Sequence, residues 1–296
     1  MTVLRPDRLA DALGALAADP PPVVLAGGTD LMVEVNYGRR RLGDVLSLRD
    51  LGELRGWRLE PGSDGRPDRL VLGAATTYTE LLAPELAGRL PALAQAARTV
   101  GGPQIRNTGT VGGNLATASP AGDTLPVLVA HGASVELEAP GGRRTLAVAD
   151  FLRGPKRTVL EPGELIAAVR VPLVRGAAEF LKVGVRNAMV IAVASCALVV
   201  DRDERTVACA LGSVGPVPVR DPDAEAWAAA RIDWDAGATP PDPRVADEFG
   251  RRLAAACRPI DDHRATAAYR RHAAGVMARR ALVRALAPGA GAAEAA

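Results

Sequence analysis

Three cysteines in 296 residues, Cys196, Cys209 and Cys257, are too few and too scattered to hold an iron–sulfur cluster, and they lack the Cys-x-x-Cys spacing of a zinc site. Set in apolar surroundings, they read as buried free thiols. Lysine is scarcer still: of 36 basic side chains only Lys156 and Lys182 are lysines, the rest being arginines in a chain rich in alanine. That bias is compositional and weakens any argument from a single arginine. A net charge of +2 gives no reason to expect nucleic acid or an acidic membrane surface as partner. No apolar run reaches the length of a membrane span, and the start, MTVLRPDRLADALGALAADP, has neither the apolar core of a signal peptide nor a twin arginine. A reducing cytoplasm fits all of this. Repeats and a long linker are missing too, and no nucleophile stands beside a recognisable base.

What is present is an ordinary globular composition, 48% hydrophobic and 24% charged, in a chain long enough for two or three packed units. The most unusual stretch is Gly101 to Pro126, GGPQIRNTGTVGGNLATASPAGDTLP, with six glycines and three prolines. No apolar period in it is long enough for an element of its own, and loops of this length either do something or stay disordered. Thr110-Val111-Gly112-Gly113-Asn114 favours the former: paired glycines permit φ > 0 and let backbone N–H groups converge into the concave nest that pyrophosphates favour. A plain glycine-rich turn accounts for this stretch alone equally well. A second loop, Ala26-Gly27-Gly28-Thr29-Asp30, follows the strand-like Val23-Val24-Leu25 at once, and two nests on one diphosphate are more specific than either. Neither loop has Rossmann or P-loop spacing, so the expected ligand is a dinucleotide bound in another way. Asp123 opens an apolar helical run, where its carboxylate caps the helix or accepts from a sugar hydroxyl.

Along the chain, Leu9, Leu13 and Leu16 repeat at helical spacing, and strands at 23–25 and 44–48 complete a βαβ-like unit ending near residue 54. A strand is expected over 70–75, Thr77-Tyr78-Thr79-Glu80 has capping-box spacing, and a helix over 90–100 leads into the glycine-rich stretch. A short helix over 123–130 and strands over 134–137 and 165–171 follow, closed by Pro172. Beyond residue 173 the pattern changes to strands over 179–185, 191–200 and 207–212 and helices near 223–231, 245–257 and 265–286. The last residues, 287–296, lack apolar bulk and are expected to fray as a flexible tail.

The order AGGTDL, QIRNTGTVGGNLATASPAGDTLPVL, FLKVGVRNA, RPIDDHRATAAYRRH resembles the FAD-binding medium subunit of the xanthine dehydrogenase and carbon monoxide dehydrogenase family of molybdenum hydroxylases, across residues 1–286. The resemblance implies an α+β fold. A two-subdomain FAD-binding domain of the vanillyl-alcohol oxidase and p-cresol methylhydroxylase type would occupy 1–172, divided near residue 54. A C-terminal α+β domain with an antiparallel sheet and helices would occupy 173–286. FAD would be wrapped by Ala26, Gly27, Gly28, Thr29 and Asp30 and by Thr110, Val111, Gly112, Gly113 and Asn114. Asp123 would sit on sugar or ribityl hydroxyls, and Leu165 or Ile166 would line the adenine end. Lys182, in register with Arg186 as in the family's Lys-x-x-x-Arg pattern, would stabilise negative charge at the flavin's reducible end. Val185 stands where members often carry arginine.

The same resemblance implies partners: a large subunit with a molybdenum cofactor and a small one with two 2Fe–2S clusters, assembled as a dimer of heterotrimers. Electrons would leave FAD for NAD⁺, oxygen or a quinone. Two rivals remain, a self-contained FAD oxidoreductase acting on a small molecule and a non-enzymatic FAD-binding scaffold. The first needs an acid/base constellation in the C-terminal domain. Elsewhere, Arg106 and Asn107 read as loop supports, and Asp261-Asp262-His263-Arg264 as a helix cap with surface ion pairs rather than a metal site. His131 and His272 read as structural.

Overall fold

The computed structural model describes residues 1–63, 67–237 and 239–288, so most of the tail expected at 287–296 lies outside the described residues. The chain opens with β1 (Val3–Leu4), α1 (Leu9–Ala15), β2 (Val23–Leu25), α2 (Leu31–Asn36) and β3 (Val45–Ser47). The three strands form a parallel sheet in the order β1-β3-β2, with Val45 opposite both Val3 and Val23. The apolar stripe of α1, Leu9, Ala12 and Leu13, packs with Leu16 against Leu46, Leu48, Leu51 and Leu54. By contrast α2 buries no residue despite its Leu-Met-Val content. It serves as the far end of the first glycine loop.

Next come β4 (Trp57–Glu60), β5 (Arg69–Gly73), α3 (Pro84–Arg89), α4 (Pro91–Thr99), α5 (Pro103–Arg106), α6 (Val111–Thr117) and α7 (Thr124–Ala130). They continue into β6 (Ser134–Ala139), β7 (Gly142–Ala147), α8 (Val148–Phe151), the small hairpin β8 (Leu152–Gly154) and β9 (Arg157–Thr158), and β10 (Leu165–Pro172). An antiparallel sheet results, ordered β4-β5-β10-β6-β7, with the last strand in sequence at its centre. A bulge between Ile166 and Ala168 resets the alternation of β10, so that Ile166, Val169 and Val171 all enter the core shared with α4, α6 and α7. Leu165 and Ala167 face the other way, into the core of the first unit. The capping box is present: Thr77 N–H donates to Glu80 Oε2 at 2.6 Å and Glu80 N–H to Thr77 Oγ1 at 3.2 Å, opening a 3-10 turn at Glu80–Leu82. Gly101–Pro126 departs from expectation, since it is not an element-free loop but contains α5 and α6.

His131, at the C-terminal end of α7, is buried; its Nδ1–H donates to the Pro172 carbonyl at 3.3 Å while Nε2 finds no partner. Burial pushes the imidazole down to about 4. The folded state therefore refuses a proton that the unfolded chain accepts near 6.5, and stability falls as pH drops from 6.5 to 4, by about 3 kcal/mol in all. Urea unfolding at pH 7 and pH 5 should show this loss, and His131→Asn, which keeps a donor for Pro172, should flatten it.

The third unit is a hairpin sheet of β11 (Gly176–Val183), β12 (Ala194–Asp201) and β13 (Thr206–Gly212), followed by α9 (Pro222–Ala229), α10 (Pro243–Ala256) and α11 (Ala267–Leu286). Its two faces are both covered. Ala178, Phe180, Ala197, Val199 and Ala210 join the core of the middle unit, whereas Ala177, Cys196, Leu198, Cys209 and Leu211 pack under α9, α10 and α11. All three cysteines are buried free thiols, as expected. Gly250 and Gly275 let α10 and α11 cross closely: a Cβ on Gly250 would stand 2.5 Å from the Gly275 carbonyl oxygen.

Candidate functional site

The two glycine loops meet. Between β2 and α2, none of the backbone N–H groups of Ala26, Gly27, Gly28, Thr29 and Asp30 donates to a protein acceptor among the described residues. Gly28 takes the left-handed conformation, φ +72°, that turns successive amides towards one side. Gly27 is required by contact instead: a Cβ there would lie 1.9 Å from the Thr108 carbonyl oxygen. On the other loop, a Cβ on Gly113 would lie 3.8 Å from that of Ala26. The first loop thus rests along the start of α6 with a row of donors uncommitted.

The second loop works differently from the expected nest. Neither Gly112 nor Gly113 has a positive φ, because both lie in the first turn of α6. Thr110 caps that helix, its Oγ1 accepting from Gly113 N–H at 3.0 Å. Val111 N–H donates to Thr76 O at 2.9 Å, Gly112 N–H to Ala74 O at 2.8 Å and Asn114 N–H to Thr110 O at 3.0 Å. Protein acceptors therefore take all four amides. Gly112 is small because a Cβ would stand 2.8 Å from the Ala74 carbonyl oxygen, so the glycine pair seats α6 against the end of β5. What α6 still offers is the Thr110 hydroxyl proton and the Asn114 side-chain amide, whose oxygen accepts from Thr124 Oγ1 at 2.6 Å.

Asp123 precedes α7 but does not cap it. Its side chain turns to Lys182, with Oδ2 2.5 Å from Nζ and 3.1 Å from Thr99 Oγ1. Strand alternation puts Lys182 there: it shares the face of β11 that carries Ala178 and Phe180, and that face packs on α4 and α7. Nζ also donates to Thr99 O at 3.1 Å, the last carbonyl of α4 and the negative end of its dipole. Both side chains are nearly sealed, 8% and 6% exposed. Burial pushes the Asp123 carboxyl up in spite of Lys182 and Thr99, and its Oδ1 has no partner among the described residues. A buried ion pair whose desolvation outweighs its attraction, with one oxygen left bare, does not explain itself as stability. Orphaned oxygen and uncommitted amides together fit a dinucleotide with a diphosphate and sugar hydroxyls.

Not every expected residue joins this cluster. Leu165 lies in the core on which Ala26 packs, while the Ile166 side chain points into the middle core. Arg106 holds the stretch together by donating to the carbonyls of Val100 and Gly101, and Asn107 Oδ1 accepts from Thr79 Oγ1. Arg186 donates to the carbonyls of Ala188 and Met189. Asp261 Oδ1 accepts from Ala267 N–H at the start of α11, and Asp262 pairs with Arg264 and the buried Arg270. That cluster is structural. Two contacts had no signal in the sequence. Lys156, at the tip of the β8–β9 hairpin, pairs with Glu34 on α2, the helix that follows the first loop. Tyr78 packs its ring on Gly109, where a Cβ would meet Cε2 at 2.7 Å.

Comparison with known proteins agrees with this geometry. Residues 1–174 match the family model described as the FAD binding domain in molybdopterin dehydrogenase, and residues 179–285 the CO dehydrogenase flavoprotein C-terminal domain. The carbon monoxide dehydrogenase medium chain of Afipia carboxidovorans is 34% identical over 95% of each chain. A putative xanthine dehydrogenase FAD-binding subunit of Escherichia coli is 35% identical over 73% of this chain and 75% of its own. The structure of reconstituted CO dehydrogenase from Oligotropha carboxidovorans contains a chain that superposes with a TM-score of 0.85 at 30% identity, covering 97% of both.

Proposed function

The chain belongs to the family of FAD-binding medium subunits of molybdenum hydroxylase-type complexes, and we propose that within such a complex it relays electrons from the 2Fe–2S clusters of a small subunit to NAD⁺, oxygen or a quinone. The observation that carries the reading is the row of five amides at Ala26–Asp30 that stays uncommitted among the described residues. FAD, when bound, supplies the chemistry that the side chains lack, accepting electrons singly and releasing them to an acceptor. The first loop would take the pyrophosphate by its N–H groups. Thr110 and Asn114 would orient it from the start of α6, with Val111, Gly112 and Gly113 holding that helix close. Asp123 would accept from a ribityl or ribose hydroxyl, and the backbone of β10 at Leu165 and Ile166 would border the adenine. Lys182, paired with Asp123, would hold positive potential at the reducible end.

Its partners in this reading are the substrate-oxidising large subunit with the molybdenum cofactor and the small 2Fe–2S subunit, in a dimer of heterotrimers. In support, Val185, Met189 and Ile191 leave large apolar side chains in solvent on the loop that follows Lys182. No described helix is long and apolar enough to cross a membrane, and the three free thiols suit the cytoplasm. Against a self-contained oxidoreductase, Asp261 and Asp262, the acids of the C-terminal cluster, are engaged with the start of α11 and with Arg270. Purification from the native organism is expected to yield stoichiometric FAD together with co-eluting molybdenum and iron–sulfur subunits. Recovery of the chain alone, active on a small molecule, would overturn the assignment.

A further inference from the structure

Tyr78 stands in the joint between the two loops, and its ring is 4% exposed. Its N–H donates to the Gly109 carbonyl at 3.1 Å, and the neighbouring Thr77 bridges to Thr110. The ring is pressed on Gly109, the same short segment that Gly27 touches at Thr108 from the other side. Only one or two residues of backbone therefore separate the phenol from the uncommitted amides of the first loop. The hydroxyl makes no side-chain hydrogen bond among the described residues and is not one of the sealed, unpartnered atoms, so the tip of a buried ring keeps some access from outside. Burial first, then the charges of Asp30 and Asp123, push its ionisation upward. It stays protonated and neutral at any physiological pH. A lysine in that position would be claimed by Asp30 or Asp123, whereas a phenol keeps its proton for a third group.

We propose that Tyr78 is a further cofactor-binding residue, its hydroxyl donating to a diphosphate oxygen of the dinucleotide held by Ala26–Asp30. This rests on the FAD reading above. The neutral donor complements the backbone amides: it adds a hydrogen bond to an anion without introducing a charge that the two flanking carboxylates would neutralise.

The test uses the full chain purified from its native organism with whatever subunits accompany it, stripped of flavin and titrated with FAD and with ADP, which carries the diphosphate but no flavin. Tyr78→Phe removes only the hydroxyl. Affinity for both ligands is expected to fall by roughly ten- to a hundredfold, the loss of one hydrogen bond to a charged acceptor, while the ligand-free melting temperature stays put. Unchanged FAD affinity in Tyr78→Phe overturns the inference alone, as does a loss confined to FAD, which would put the contact on the flavin half. A lowered ligand-free melting temperature would show that the hydroxyl has a partner within the fold and would overturn it as well. Failure of the unsubstituted protein to bind either ligand would instead bring down the FAD reading and this inference with it.

Discussion

Gly27→Ala is expected to leave the protein without flavin. The added Cβ would stand 1.9 Å from the Thr108 carbonyl oxygen, 2.6 Å from its carbon and 2.9 Å from Gly109 Cα. All three are backbone atoms, so no side chain can swing aside. The loop must retreat by roughly 1.5 Å to reach an ordinary 3.4 Å contact. A displacement of about that size at a positioned binding group costs on the order of a hundredfold. Every amide from Ala26 to Asp30 moves with it, so the effect falls on the whole donor row. The fold should suffer much less, because α2 buries nothing and the core of the first unit is built on α1 and β3. Gly14→Ala is the control: nothing lies within 4 Å of its Cβ, and a helical alanine there should leave flavin content unchanged while raising the melting temperature slightly. The measurement is flavin absorbance per protein after gel filtration, and a Gly27→Ala protein that stays yellow sinks the first-loop site.

The second large effect concerns the buried charge pair. Asp123→Ala strands the Lys182 ammonium, 8% exposed, with only the Thr99 carbonyl for company, and is expected to destabilise the chain by about 3–5 kcal/mol. Removing both charges, as Asp123→Leu with Lys182→Met, should restore most of that stability, because desolvation already outweighs attraction at Asp123. Flavin binding should not return with it. Denaturant titration and flavin titration of the two variants separate the roles. A double variant that is stable and also binds FAD with unaltered affinity would reduce the pair to packing.

Much of this site was readable in the sequence, and the failures have identifiable physics. AGGTD after a strand announced a row of free amides, and the structure has one, although β2 is half-exposed where the Val-Val-Leu run reads as a buried strand. TVGGN looked the same and is not, because Thr110 supplies a helix cap that a glycine-rich composition conceals. Gly112 is there for contact with Ala74, which involves a residue 38 positions earlier and leaves no local pattern. Asp123 was placed on a helix start correctly, but its partner Lys182 is 59 residues away, and only the alternation of β11 brings the two together. Tyr78 was seen solely as part of a capping box; that its ring backs Gly109 is tertiary information. Strands β4 and β7 escaped notice as outer strands whose sequences, WRLE and GRRTLA, are largely exposed and show no apolar alternation.

The central place of β10 bears on how the protein comes to be made. Until residue 172 has been synthesised, the middle sheet exists only as two separate hairpins, β4–β5 and β6–β7, each presenting an open edge to solvent. A nascent or truncated chain ending before Leu165 therefore carries two sticky edges and a half-formed core, the kind of species that aggregates or recruits chaperones. Closing that gap also draws Leu165 into the core beneath Ala26, so the loop that would receive the cofactor gains its floor only when the ribosome has delivered the strand.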